Sequence, residues 1–287
     1  KCRVSLELRL LSTSPVVSDE DSCVETIIGS HEMNTEHPFD HFTMRKSATE
    51  TSITVFLSPH RDDVAFSMSA LAEHPVAKLA VNLFTRSSYT AHEKSTLRPS
   101  FDRVSRVSAT RALEDRRYFD LIGLEAIDFD GEEPSLRGRK SRDPAGTGDD
   151  VSQIRDRLVA MLTDLARHHG HVCLIAPAAI GGHVNHLAAR QVAFDWVLAD
   201  PANRNIGFFE DIPYAANWWT RRAGIASLKR FVGSRPLRRR TFEVSKRKLD
   251  YINIYASQHR APVTHLSAYS PATLMPSRPH EAIWEIA

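Results

Sequence analysis

The chain has 287 residues, of which 42% are hydrophobic and 25% are charged, as in an ordinary globular protein with a sizeable core. The formal net charge is only +2, so nothing global favours a nucleic-acid partner. No apolar run approaches the roughly 18–20 residues of a membrane-spanning helix, and no transmembrane segment is expected. Cys2, Cys23 and Cys173 fit neither a disulfide framework nor a cysteine-ligated zinc site, which favours a reducing, cytoplasmic setting.

Residues 1–50 differ from the rest of the chain. They are polar, and their apolar residues follow neither a helical nor a strand period. We interpret them as a polar N-terminal extension that is disordered or loosely packed. The alternative is a metal-binding tail, because His31, His37 and His41 lie close together. The folded domain is expected to comprise residues 51–287.

From residue 51 onward, apolar runs alternate with segments of helical spacing. In chain order the pattern predicts a strand at 53–58, a helix at 64–73, a strand at 77–84, a helix at 103–122, a strand at 124–129, a helix at 151–169, a strand at 172–176, a helix at 186–198 and a strand at 205–209. Asp149 or Asp150 is the expected N-cap of the third of these long helices. Such alternation predicts an α/β fold, Rossmann-like and three-layered, with a mostly parallel sheet.

Two further segments are predicted to be long loops. Residues 130–150 mix glycines, prolines and charges, and residues 215–240 contain eight basic residues; loops of this length are functional or disordered in most compact domains. Trp218 and Trp219 lie in the second loop. They could stack on a sugar ring or a lipophilic tail, and the alternative is that one of them packs in the core.

Two short clusters of polar residues follow predicted strands. Residues 60–63 (HRDD) come after the first strand, and residues 183–186 (HVNH) come after the apolar run that ends at Pro177. In open α/β sheets, ligands bind beyond the carboxyl ends of the strands. No GxGxxG follows the first strand, which argues against a dinucleotide. The two clusters together predict a mononuclear metal site with a base beside it.

A hydrolytic metal site needs three protein ligands, an open position for water and a carboxylate that is not a ligand. His60 and Asp63 are three residues apart in one turn and can face one ion, which leaves Asp62 as the base. The third ligand is His183 or His186, and the spacing does not decide between them. The alternative is structural: adjacent Asp residues before a helix are common N-caps, and His-X-X-His is common on solvated surfaces.

Five motifs give the chain a specific resemblance over about residues 53–260. They are similar, in the same order, to motifs of the LmbE/PIG-L-type zinc deacetylases. PHRDD at 59–63 resembles PHPDD or PHLDD, RALE at 111–114 followed by LIG resembles RxxE…LG, GHVNH at 182–186 resembles HxDH, FEDIPY at 209–214 resembles YEDxPY, and YASQ at 255–258 resembles YxSQ.

The resemblance implies a metal-dependent amide hydrolase. It implies zinc, with another divalent metal as the alternative, bound by His60, Asp63 and His186, and it implies Asp62 as the general base. It also implies that His183 stabilises the oxyanion. The implied reaction removes an N-acetyl or N-acyl group from an amino sugar or glycoconjugate, a small-molecule substrate and not a nucleic acid.

One further residue is expected to bind substrate, and two residues depart from the family motifs. The resemblance implies that Arg111 contacts substrate. Arg61 stands where the family has Pro or Leu, and we expect its side chain to face solvent. Asn185 stands where the family has Asp, and an amide cannot supply the charge that raises a histidine pKa; His183 then acts as a neutral donor or activity is reduced. The alternatives are an amidase of a thiol conjugate and a non-catalytic binding protein, and Asn185 favours the second.

Overall fold

A computed structural model describes residues 52–260, 270–271 and 279–286 of the chain. The predictions for residues 1–50, including a site built on His31, His37 and His41, lie outside these ranges. Within them, no helix combines the length and the apolar composition that crossing a membrane requires. The cytoplasmic setting stays a prediction.

The described residues form seven strands and seven helices. The strands are β1 (Ser52–Ser58), β2 (Lys78–Asn82), β3 (Ala126–Asp128), β4 (His171–Pro177), β5 (Arg204–Phe209), β6 (Leu237–Glu243) and β7 (His280–Ile286). The helices are α1 (Asp63–Ser67), α2 (Ser69–Ala72), α3 (Phe101–Ile122), α4 (Thr147–His169), α5 (Val184–Leu198), α6 (Trp218–Val232) and α7 (Lys248–Ile254). Short 3-10 turns occupy Pro134–Arg137, Pro144–Gly146, Tyr214–Ala216 and Ala256–Gln258.

The strands make one mostly parallel sheet in the order β3-β2-β1-β4-β5-β7-β6. The first five strands in that order pair in parallel. The last strand of the chain, β7, is antiparallel to both β5 and β6. This arrangement confirms the predicted α/β, Rossmann-like fold.

Apolar strands account for the position of the core. In β1 and β4, every residue after the first is buried, as expected for central strands covered on both faces. Alternate residues of β1, such as Val55 and Leu57, join a cluster with Leu158 of α4 and Val192 of α5. A second group of buried rings, which includes Tyr118 of α3, joins α3 to α7. The two central strands are therefore buried in the core, and the loops at their ends begin from packed strands.

The predicted elements between residues 53 and 209 are present, with two differences. The helix predicted at 64–73 is split into α1 and α2, because Met68 interrupts the helical backbone with φ −138° and ψ 14°. The helix predicted at 151–169 begins at Thr147, so Asp149 and Asp150 lie in its first turn and neither is its N-cap.

The prediction of a long loop at 215–240 was wrong. This segment contains α6 and the start of β6, because Ile225, Leu228 and Val232 recur at helical spacing and are buried. The many arginines hid that apolar stripe in the sequence. Trp218 and Trp219 lie at the start of α6 and are 44% and 73% exposed, so neither packs in the core.

Two of the basic residues in this segment are bound to a buried carboxylate. Glu210 is completely buried and accepts two hydrogen bonds of 2.7 Å from Arg221. It also accepts bonds of 2.9 Å from Arg239 and from the indole of Trp284. Burial alone would raise the pKa of Glu210, but the hydrogen bonds and charges of the two arginines outweigh burial and lower it to about 2.

We expect Glu210→Gln to lower the free energy of unfolding by about 3–5 kcal/mol at pH 7, because it leaves buried guanidinium groups without their anion. The folded pKa of Glu210 is depressed, so its stabilisation is present above the unfolded value near 4.5 and is lost as pH falls towards 2. Urea unfolding across this range should show the two curves converging at low pH. Glu132→Gln, which removes the exposed Arg86–Glu132 pair, should cost roughly 0–1 kcal/mol. An equal cost for both variants would contradict the assignment.

Candidate metal centre

The two motif turns lie side by side at one edge of the sheet. Residues 59–62 follow β1 and residues 178–183 follow β4, and these strands are parallel neighbours. The chain proceeds from β1 outward to β2 and β3, and then from β4 outward in the other direction. The edge between β1 and β4 is therefore the switch point at which open α/β sheets bind ligands.

A glycine lets the second turn pass close to a neighbouring loop. Gly181 has φ +93°, a conformation that favours glycine, and a Cβ there would lie 2.7 Å from the ring of Tyr214. The turn then delivers His183 to the N-cap position of α5, with His186 in the first turn of that helix.

Three donor atoms from the two turns form a compact triangle. Nδ1 of His60 lies 3.1 Å from Nε2 of His186. Oδ2 of Asp63 lies 3.6 Å from the first nitrogen and 3.5 Å from the second. A tetrahedral zinc ion with bonds of about 2.0–2.2 Å spaces its ligands about 3.3–3.6 Å apart. The two distances to Asp63 lie in this range and the distance between the histidines is slightly shorter, so the three atoms are close enough to share one ion, and all three residues are buried.

The outer nitrogen of each histidine is bound to an oxygen. Nδ1 of His186 lies 2.6 Å from Oδ1 of Asp211, and Nε2 of His60 lies 3.1 Å from Oδ1 of Asn185. Because both oxygens accept, both outer nitrogens carry hydrogen. Nδ1 of His60 then has a lone pair and faces Nε2 of His186 at 3.1 Å, so a proton or a metal ion can lie between the two atoms. Such outer partners are typical of metal-binding histidines, so the residues present fit a divalent metal.

The charges around the triangle also favour a positive charge within it. Burial alone would lower the pKa of His186, but Asp63 and Asp211 outweigh it and raise that pKa to about 9. Burial lowers the pKa of His60 to about 4, and the neighbouring His186 adds to this effect. The pocket between the two rings therefore holds positive charge at neutral pH, as a proton or as a metal ion.

His183 lies beside the triangle. One ligand atom of His183, one of His60 and one of His186 lie within 4.8 Å of one another, so the three histidines could also hold an ion. Its Nδ1 accepts a 3.3 Å hydrogen bond from the backbone N–H of Asn185, so the ring presents Nε2–H to the pocket. Burial lowers its pKa well below the usual value, and His183 is neutral. It can donate a hydrogen bond to an oxyanion without being charged.

Asp62 lies outside the triangle and is held by a buried arginine. Its Oδ1 accepts a 2.9 Å hydrogen bond from Arg111, which also donates to Glu133 at 2.7 Å. The Asp62 side chain is 17% exposed and the Arg111 side chain 4%. Arg111 borders the pocket, but its described contacts are with protein oxygens, so its predicted contact with substrate stays a prediction.

The two departures from the family motifs occupy buried positions. The expectation that Arg61 faces solvent was wrong, because its guanidinium is buried and donates to Asp128 at 2.7 Å and to Asp115 at 3.3 Å. The side chain of Asn185 is directed at His60 and not at His183. Its replacement of Asp therefore bears on a candidate metal ligand, which the sequence did not indicate.

The RALE motif on α3 and the YASQ motif after α7 lie against each other and are joined by hydrogen bonds. Glu114 accepts hydrogen bonds from the backbone N–H and the hydroxyl of Ser257, at 2.8 and 2.6 Å. Tyr255 donates to Asp115 at 2.8 Å. These bonds tie the segment after α7 to the helix that carries Arg111, and Gln258 then borders the pocket.

A pocket of about 520 Å³ opens over the cluster, within the usual range for small-molecule sites. His60, Asp62 and His183 lie in its wall, together with the predicted loop that includes Arg139 and Lys140. The sequence predicted this loop to be functional or disordered, and its residues form part of the cavity wall. The Trp218-Trp219 pair is not part of the lining.

Sequence reasoning missed two residues near the site. Glu133 holds Arg111, and Asp150 accepts from Asn185 at 3.0 Å; neither stands in a recognised motif. A buried asparagine needs an acceptor for its amide, which could have prompted a search for Asp150. Asp211, which stands in the FEDIPY motif, binds the outer nitrogen of the candidate ligand His186.

The fold and the cluster define a class of α/β proteins with a candidate metal centre at the sheet's switch point. No family model matches the chain. Over 166 residues it is 32% identical to 2'-N-acetylparomamine deacetylase of Streptomyces fradiae, a match that covers 56% of this chain. The match spans 57% of the length of that curated relative.

Solved deacetylases share the fold over most of the chain. The zinc-inhibited form of teicoplanin deacetylase Orf2 is 17% identical, with a TM-score of 0.54 over 82% of this chain and 98% of that one. A deacetylase–teicoplanin complex is 17% identical, with a TM-score of 0.57 over 81% and 97%. The A40926 pseudoaglycone deacetylase is 16% identical, with a TM-score of 0.51 over 82% and 96%. The chain is thus similar to these deacetylases in fold and, over about half of its length, similar in sequence to a curated deacetylase, which agrees with the resemblance of its motifs.

Proposed function

We propose that this protein is a zinc-dependent hydrolase that removes an N-acetyl group from an amino sugar or glycoconjugate. The observation that carries the proposal is the triangle formed by His60 Nδ1, Asp63 Oδ2 and His186 Nε2, with sides of 3.1, 3.5 and 3.6 Å. Its spacing suits one tetrahedral ion. The names of two similar proteins, 2'-N-acetylparomamine deacetylase and a deacetylase in complex with teicoplanin, support an amino-sugar substrate.

In this proposal Asp62 and His183 act on the substrate beside the bound metal ion. A bound zinc ion supplies Lewis acidity, which makes water easier to deprotonate near neutral pH and polarises an amide carbonyl. Asp62 accepts the proton of the attacking water, because Arg111 occupies only Oδ1 and Oδ2 has no hydrogen-bond partner among the described residues. Nε2–H of His183 donates to the oxygen that becomes negative, a contribution of roughly 3 kcal/mol. Asp62 then gives its proton to the leaving amine, and acetate and a free amine result.

Two alternatives make different predictions. An amidase of a thiol conjugate would release a larger acid from the same site. A non-catalytic binding protein would bind metal and ligand without turnover; Asn185 was the reason to consider it. Since Asn185 accepts from His60 as a carboxylate would, this substitution no longer favours the binding protein.

The test is a deacetylation assay with the zinc-loaded protein. The substrates are 2'-N-acetylparomamine, N-acetylglucosamine and its glycosides, and both acetate and free amine are measured. The proposal expects the two products in equal amounts and no reaction after chelation of the metal. Zinc binding without release of acid from any of these substrates would favour the binding protein, and release of a larger acid from a thiol conjugate would favour the amidase.

A further inference from the structure

A path of hydrogen bonds leads from the candidate metal centre to the first turn of α4. Nε2 of His60 lies 3.1 Å from Oδ1 of Asn185. Nδ2 of Asn185 lies 3.0 Å from Oδ2 of Asp150, whose other carboxylate oxygen accepts from Arg137. Asn185 and Asp150 are both completely buried. Each link therefore forms away from water, where an unmatched donor or acceptor is costly.

Only one assignment of donors and acceptors satisfies every hydrogen bond of this path. A carboxylate can only accept, so Asp150 must face the amide nitrogen of Asn185. The amide oxygen of Asn185 then faces His60, and the ring can meet it only with Nε2–H. A neutral imidazole carries one hydrogen, so Nδ1 of His60 is left with its lone pair. Nδ1 is the atom at the corner of the donor triangle.

We propose that Asp150 is a positioning residue for the metal centre and that it acts through Asn185 to fix the metal-binding tautomer of His60. This inference rests on the proposed function, because the tautomer matters only if His60 binds a metal. It also gives the Asn at position 185 a physical reason. An Asp there would set two buried carboxylates 3.0 Å apart, whereas the amide joins Asp150 to His60 without a second charge.

A nearly isosteric substitution is expected to exchange the donors and acceptors along this path. In Asp150→Asn, Arg137 must still find an oxygen, so the new amide turns its nitrogen towards Asn185. Asn185 then presents its oxygen to that nitrogen and its own nitrogen to His60. His60 must accept with Nε2 and carry its hydrogen on Nδ1, which blocks the triangle. We expect zinc affinity to fall by about 10- to 100-fold, the usual effect of losing such an outer partner.

A second substitution should restore the path. In the double variant Asp150→Asn/Asn185→Asp, the amide nitrogen at 150 donates to the carboxylate at 185, which accepts from Nε2–H of His60. We expect zinc affinity within about threefold of the parent protein, since the lost link is re-formed. Asp149→Asn is the matched control. Asp149 is the adjacent residue, its side chain is 70% exposed and it pairs with Arg139, so this substitution should leave zinc affinity unchanged.

Two measurements test the positioning role of Asp150. Zinc affinity is obtained by competition with a chelator, and the protonated nitrogen of His60 is identified by 15N NMR of histidine-labelled protein without metal. The proposal expects Nε2–H in the parent and the double variant and Nδ1–H in Asp150→Asn. Parent-like affinity and tautomer in Asp150→Asn would overturn it, as would a double variant that folds but does not recover. If Asp150→Asn does not fold, the double variant alone carries the test.

The tautomer readout separates this inference from the proposed function. If the parent protein binds no zinc, the proposed function fails, but the NMR signals of His60 still report whether Asp150 sets its tautomer. If zinc binds and acetate is released while the tautomer is indifferent to Asp150, the proposed function stands and the positioning role is wrong.

Discussion

Asp62→Asn is expected to lower kcat by about 10²- to 10⁴-fold, the usual contribution of a general base, while the bound zinc is retained. The carboxylate of Asp62 borders the pocket and lies outside the donor triangle. Arg111 binds one of its oxygens at 2.9 Å and so fixes the direction of the other. An amide in the same place keeps the bond to Arg111 but cannot take a proton from water. Steady-state kinetics and metal analysis of the same preparation measure both parts.

The matched control is Asp120→Asn, which removes an exposed carboxylate from α3, the helix that carries Arg111. Its kcat and zinc content should equal those of the parent. Full activity in Asp62→Asn would mean that another group takes the proton. Loss of zinc from Asp62→Asn would mean that Asp62 is a ligand, and the division of tasks between Asp62 and Asp63 would then be wrong.

His60→Ala and His186→Ala are expected to lose zinc and, with it, turnover. Each removes one corner of the triangle and leaves two protein ligands, too few for a stable site of this kind. His183→Ala should behave differently, because its ring lies beside the triangle. It should keep zinc and lose about 10²- to 10³-fold in kcat, the effect of removing one oxyanion donor. Metal content after dialysis and kcat distinguish the two classes of variant.

His168→Ala is the control for this series, since His168 is an exposed histidine on α4 and its loss should change neither quantity. The informative failure is an exchange of roles. If His183→Ala loses zinc and His186→Ala retains it, then the last histidine of the HVNH motif is not a ligand, and its bond to Asp211 needs another explanation.

Much of the fold was predictable because its strands are nearly continuous apolar runs. β1 and β4 are buried on both faces, so their uninterrupted apolar runs in the sequence were enough to indicate central strands. The segment 215–240 was not predictable in the same way. Its arginines suggested a solvated loop, but Arg221 and Arg239 are directed inward to Glu210, and a contact between residues this far apart in the chain leaves no local pattern.

The residues of the candidate site were predicted from two short clusters, and the reason is geometric. Parallel neighbouring strands bring their carboxyl ends together, so the turns after β1 and β4 had to meet. The supporting residues could not be found in that way. Asp150 lies in the first turn of α4, where an acidic residue has a sufficient local explanation in the helix dipole. Its bond to Asn185 depends on how α4 packs beside α5.

The most direct test of the account is a crystal structure of the protein grown with zinc, with anomalous data collected at the zinc edge. The account predicts one ion bound by Nδ1 of His60, a carboxylate oxygen of Asp63 and Nε2 of His186, at about 2.0–2.2 Å from each, with an open side towards Asp62. An ion bound elsewhere, or a fourth protein ligand that closes the open side, would contradict it.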